Sequence, residues 1–141
     1  MSTQILADFK RHLREFCDAR DIAVSTWSDA HPTSRNILMI ETRPDPILLY
    51  VKVRSEPPGF WGLTANRISE LTHAGLLWYT VPLLGSPATG YIVSGADVDR
   101  HMRNADWTLS GDGDYKINEG IEIDAEYRFE SFEVLMNRIF G

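Results

Sequence analysis

Apolar residues recur at steps of three and four over the first twenty positions. Ile5, Leu6, Phe9, Leu13, Phe16 and Cys17 fall on one stripe, and Lys10, Arg11, His12, Arg14 and Glu15 fall on the opposite face. The pattern predicts an amphipathic helix over 3–20, with Ser2 or Thr3 as its cap. The period then shortens. IAVSTW (22–27), NILMIET (36–42) and ILLYVKV (47–53) read as strands. The last two form a hairpin through RPDP, because proline and aspartate favour tight turns. RSEPPGFWG is a loop. Thr64 caps a helix over ANRISELTHA that stops at Gly75. LLWYTVPLL is almost continuously apolar and predicts a central strand, and GYIVS predicts a fifth. Ser94 starts a short helix that runs to about Met102, with Asp97 as its capping-box acid. The polar, Gly-rich stretch NADWTLSGDGDYKINEGIEID reads as an ordered loop with short extended pieces. FESFEVLMNRIF closes the chain as an amphipathic helix. Glu130 and Glu133 lie near its start and Arg138 near its end, as the helix dipole favours.

The resulting order is α-β-β-β-α-β-β-α, then a loop and a final helix. It implies an α/β fold with a mixed central sheet of about five strands flanked by helices. A chain of 141 residues suits one domain, 1–141, and neither a repeat nor a long linker divides it. Its hydrophobic content of 43% and charged content of 24% are those of a soluble globular protein. The longest apolar run is broken by Pro82 and falls short of the roughly 20 residues a membrane span needs. The N-terminus lacks the apolar core of a signal peptide, so the expected location is cytoplasmic, with no membrane partner. The single cysteine, Cys17, excludes a disulfide framework and a Cys-based zinc site. Net charge is −6 and unevenly placed. Residues 1–70 hold nine basic and nine acidic side chains, whereas 71–141 hold five and eleven. An acidic balance argues against non-specific nucleic-acid binding but leaves room for a local basic face on the N-terminal half.

Candidate chemistry is sparse. Lys52 alternates with Val51 and Val53 on a strand expected to be buried on both faces, where a lysine needs a partner or a route to water. His12, His31, His73 and His101 show no metal-ligand spacing and read as surface or loop histidines. No nucleophile elbow, phosphate-binding loop or dinucleotide fingerprint occurs. The stretch starting at Asp112 fails as a calcium loop, because its fifth, sixth and twelfth positions are Lys116, Ile117 and Ile123. GFWG (59–62) is either a core anchor for its loop or a stacking platform beside a nucleic-acid channel. The acidic stretch 106–133 is either a solvated surface or a charge mimic facing a basic protein.

The layout of 34–93, which opens with SRNILMIETRPDPILLYVKVRSEPPGFWGLTANRISELTHAGLLWYTVPLL, resembles the PD-(D/E)XK (restriction-endonuclease-like) superfamily, and within it the Holliday-junction-resolvase branch. That resemblance implies a strand opening with an acid, then acid-x-lysine on the next strand. The acids hold Mg²⁺ or Mn²⁺, which activates water, and the lysine orients the water or stabilises developing charge. Carried over by position, the opening acid falls near Asn36 and the acid before the lysine falls on Tyr50. Lys52 matches, and Glu15 matches the acid that some members place on the first helix. Glu41 and Asp45 are the other carboxylates that could serve as metal ligands in a rearranged site with Glu15 and Lys52. A second literal match, DYK at Asp114–Lys116, lies in the Gly-rich loop. Arg11, Arg14, Arg35, Arg54 and Arg67 could border one nucleic-acid cleft with Lys52, or be scattered solubilising charge. The resemblance also implies a homodimer.

Residues and resemblance together support three functions. The leading one is a nuclease-fold protein with a degenerate metal site, acting as a nucleic-acid- or protein-binding module. The second is an active Mg²⁺- or Mn²⁺-dependent nuclease with a rearranged site. The third is an acidic interaction or inhibitor protein that borrows the scaffold.

Overall fold

The computed structural model describes residues 2–27 and 36–141. Helix α1 (Ser2–Asp18) leads into strands β1 (Val24–Thr26), β2 (Ile37–Ile40) and β3 (Ile47–Arg54). Strand β4 (Phe60–Thr64) precedes α2 (Ala65–His73), and β5 (Leu77–Leu84) comes after it. Next come β6 (Gly90–Tyr91), β7 (Val93–Ser94) and α3 (Gly95–Arg103). The chain closes with β8 (Asp114–Asn118), a 3₁₀ turn at Ala125–Tyr127, β9 (Arg128–Phe129) and α4 (Phe132–Phe140).

The main sheet runs β1-β2-β3-β5-β6-β9, with β7 also paired to β5. It is mixed, as the element order predicts: β3 and β5 are parallel and the other strand pairings are antiparallel. The central place of β5 agrees with its apolar run. Strand alternation splits the side chains of β3 between two cores. Ile47, Leu49 and Val51 face α1 and α4, where Phe9, Leu13, Cys17, Leu135, Met136 and Ile139 are buried. Leu48 and Tyr50 face α2, α3, β4 and β8, among Trp61, Leu63, Leu71, Trp107 and Ile117.

The predicted apolar stripe of α1 is the one that packs. Phe9 meets Phe132 of α4 edge-on at 6.0 Å, and Phe16 stacks on Phe140 at 5.4 Å. Ser94 and Ser131 cap α3 and α4 by accepting the N–H of Asp97 and Val134. Thr64 occupies the N-cap of α2, but its side chain makes no capping bond. The N–H of Ala65 instead donates to the carbonyl of Gly113, at 3.0 Å. Gly75 sits just beyond α2 with φ +71, the left-handed geometry that ends helices.

Three expectations change. The loop 54–62 contains the start of β4, and the Gly-rich stretch contains β8. The two pair antiparallel as a separate ribbon, with Trp61 opposite Ile117 and Gly62 opposite Lys116. GYIVS divides at Ile92, whose N–H leaves the β5 ladder for the carbonyl of Tyr127. His101 is not a bare surface histidine. Its Nδ1 lies 3.0 Å from Asp106, its Nε2 lies 2.8 Å from the Tyr127 hydroxyl, and its ring stacks on Trp107.

Gly90 marks a close backbone approach. A Cβ there would lie 2.3 Å from the Pro82 carbonyl. Gly90→Ala is expected to cost about 1–3 kcal/mol through forced separation of β5 and β6, read from the midpoint of urea unfolding. Burial pushes the Cys17 thiol up to about 11, with a smaller opposing effect of Arg20. A raised thiol pKa makes its stabilising contribution fully present below about 9 and lost as pH rises through about 11. Labelling with a thiol-specific disulfide reagent at about pH 8 should therefore fail on the folded chain and proceed once denaturant is added.

Candidate functional site

Tyr50, Lys52 and Arg54 alternate onto one face of β3, and β4 crosses that face. The crossing is fixed at three points. The Thr64 N–H donates to the Tyr50 hydroxyl at 3.2 Å. The Trp61 indole N–H donates to the Leu83 carbonyl at 3.0 Å. Arg54 Nε lies 3.2 Å from the carbonyls of both Glu56 and Pro58. Tyr50 is therefore a buried tie between β3 and β4. Lys52, half-buried, has no hydrogen bond or ion pair among the described residues. Its ammonium lies 5.9 Å from the centre of the Tyr50 ring. It opens into a groove of about 270 Å³ lined by Thr3, Leu6, Asn36, Lys52 and Val53. That groove is the route to water that a lysine on such a strand requires.

The predicted carboxylates do not gather there. Ile40 pairs with Ile47, so Glu41 lies at the turn end of the hairpin. Much of β3 separates that end from Lys52, about 20 Å at the usual strand rise. The Glu41 carboxylate instead accepts the Ser25 hydroxyl at 3.3 Å. Asp45 is in the same turn and lines a different cavity, of about 470 Å³, with Arg43, Leu76 and Leu77. Glu15 is exposed and faces Arg11 at 3.8 Å. It stands well beyond Leu6, roughly 13 Å along the helix axis. Among the described residues, no three His, Cys, Asp or Glu side chains group closely enough to hold a metal ion. The donor set at Lys52 thus does not fit the divalent cation that the resemblance implies.

The basic residues are dispersed. Arg11 is shared between Asp8 and Glu15, and Arg67 is paired with Glu70 at 2.6 Å. Arg14 is exposed on the outer face of α1, and Arg54 reaches the loop before β4. Arg35 and His31 lie outside the described residues. GFWG has two parts: Trp61 is a core anchor at 2% exposure, while Phe60 is 39% exposed. DYK is on a strand rather than a loop, and its Lys116 is bound to Asp112 at 2.6 Å. That contact, with the Ser110 hydroxyl and a backbone N–H, holds the Asp112 carboxyl down at about 2.

The structure is similar to that of Hjc, a Holliday junction resolvase from the archaeal hyperthermophile Archaeoglobus fulgidus. The TM-score is 0.51 at 15% sequence identity, covering 83% of this chain and 86% of that one. The fold is that of a PD-(D/E)XK nuclease. No protein-family model and no curated relative matches the sequence.

Within this nuclease fold, the position before the lysine is occupied by a side chain that faces the core. A carboxylate at position 50 would have to be buried among Trp61, Leu63 and Ile68 without the hydroxyl's bond to Thr64. Tyr50→Phe keeps the ring and removes only the hydroxyl. It is expected to destabilise the fold by about 1–3 kcal/mol, since the Thr64 N–H loses its acceptor. Hydrogen exchange at Thr64 should rise with it.

Proposed function

We propose that this chain is a nuclease-fold protein whose metal site is degenerate and that it acts as a nucleic-acid-binding module. The observation that carries this reading is Lys52 in an open groove with its expected acids elsewhere. Tyr50 is committed to the core, Glu41 and Asp45 are at the far end of the hairpin, and Glu15 is on the outer side of α1. Efficient cleavage would need carboxylates to hold a metal against the phosphate, and those positions do not supply them. A cation without a counter-charge, with Arg54 two residues along the same face, instead offers the phosphate backbone a contact independent of sequence. The homodimer that the resemblance implies is checked by sedimentation equilibrium, with a single monomer mass as the opposing result.

Protein binding is the second reading. Residues 104–130 carry eight acidic and two basic side chains, equal to the net −6 of the whole chain. A surface of that sign suits a basic protein better than a nucleic acid.

The deciding assay uses Mg²⁺ and Mn²⁺ with duplex, single-stranded and branched DNA and with RNA. The expected result is no cleavage by wild type or by Lys52→Ala, together with binding that weakens steeply as salt is raised. Cleavage abolished by Lys52→Ala would establish an active, rearranged site in its place.

A further inference from the structure

We propose that the groove at Lys52 is a metal-independent oxyanion seat that takes a phosphodiester group directly. The inference rests on the nucleic-acid-binding reading and adds the group bound and the residues that bind it.

Sign of charge is the first ground. Lys52 has no carboxylate partner among the described residues, and its ammonium lies beside the face of Tyr50, at 5.9 Å. In a site with two or three acids, a lysine can sit beside a divalent metal because the acids outweigh it. Without them, the same ammonium repels a cation and attracts an anion. The residue that would assist a metal elsewhere thus disfavours one here.

Size and lining are the second ground. At about 270 Å³ the groove is below the range of cavities that enclose whole drug-sized ligands, but it is ample for one phosphate. Lys52 brings three N–H donors and no acceptor, Asn36 adds an amide N–H₂, and Thr3 adds a hydroxyl. Leu6 and Val53 supply apolar walls that lower the local dielectric and strengthen the charge interaction. A compact ammonium binds phosphate as a point charge without demanding a fixed fork geometry.

The third ground is access. The groove opens to solvent beside α1 rather than beneath β4. A phosphate on a nucleic-acid backbone could enter it without displacing the Thr64–Tyr50 or Trp61–Leu83 hydrogen bonds that hold β4 down.

The test measures binding of a fluorescent oligonucleotide across a salt series, in EDTA and in Mg²⁺, for wild type, Lys52→Gln and Lys52→Arg. In parallel, the amides of residues 3, 36 and 52 are monitored by NMR during titration with inorganic phosphate in EDTA. The expected results are equal affinity in EDTA and Mg²⁺ at matched ionic strength, and a several-fold loss for Lys52→Gln on every sequence. The slope of log affinity against log salt should fall by about one, with Lys52→Arg close to wild type. Phosphate should shift residues 3, 36 and 52 in wild type and not in Lys52→Gln. Binding that requires Mg²⁺, or a salt slope unchanged in Lys52→Gln, overturns the seat while leaving a nucleic-acid-binding protein. Phosphate shifts at the groove with no oligonucleotide bound would keep the seat and remove the nucleic-acid reading. Neither phosphate shifts nor oligonucleotide binding would remove both.

Discussion

The parallel pairing of β3 with β5 is the constraint on which the rest depends. It aligns Ile47–Arg54 with Leu77–Leu84 over the full length of both strands. Parallel neighbours cannot be joined by a tight turn, so the chain must cross over between them, and β4 with α2 is that crossover. A parallel pair also demands cover on both faces. Helices α1 and α4 supply one cover. The other is composite, built from α2, α3 and the β4–β8 ribbon. Burying the alternate side chains of one strand in two different cores makes β3 intolerant of a register shift. A slip of one residue would send Leu49 and Val51 to the wrong side.

How much of this is legible in the sequence depends on how local each signal is. Helix α1, the β2–β3 hairpin, β5 and α4 are each declared by their own period. The β4–β8 ribbon is not. Phe60, Trp61, Gly62, Leu63 and Thr64 do alternate, but a short run that comes after two prolines and includes a glycine looks like a loop until its partner is known. That partner, Asp114–Asn118, lies far along the chain, in a stretch dominated by Asp and Gly. The break at Ile92 is equally non-local, because its cause is the Tyr127 carbonyl.

The site divides along the same line. Lys52 stands out in the sequence because a charge inside an apolar strand is physically anomalous wherever the strand ends up. Whether acids reach it is decided by quantities that sequence does not carry. One is the hairpin register, which sends Glu41 and Asp45 away. The other is the position along α1 that meets the groove, Leu6 rather than Glu15. Tyr50 reads as a failed ligand in a one-dimensional comparison. In three dimensions its hydroxyl has a structural partner in Thr64, which gives a physical reason for an aromatic residue there. The His101 cluster is beyond the reach of local patterns, since its partner Tyr127 is 26 residues distant.

The bond from the Ala65 N–H to the Gly113 carbonyl also bears on how the molecule is made. Helix α2 starts less than halfway along the chain, yet its first turn is completed by a residue that emerges from the ribosome much later. Trp61 likewise gains Ile117 as its cross-strand neighbour only then. The crossover that sets β3 beside β5 therefore stays unfinished through much of synthesis. Folding should gather late and as a unit, at a pace governed by closing one long loop rather than by the fast helices at its edges.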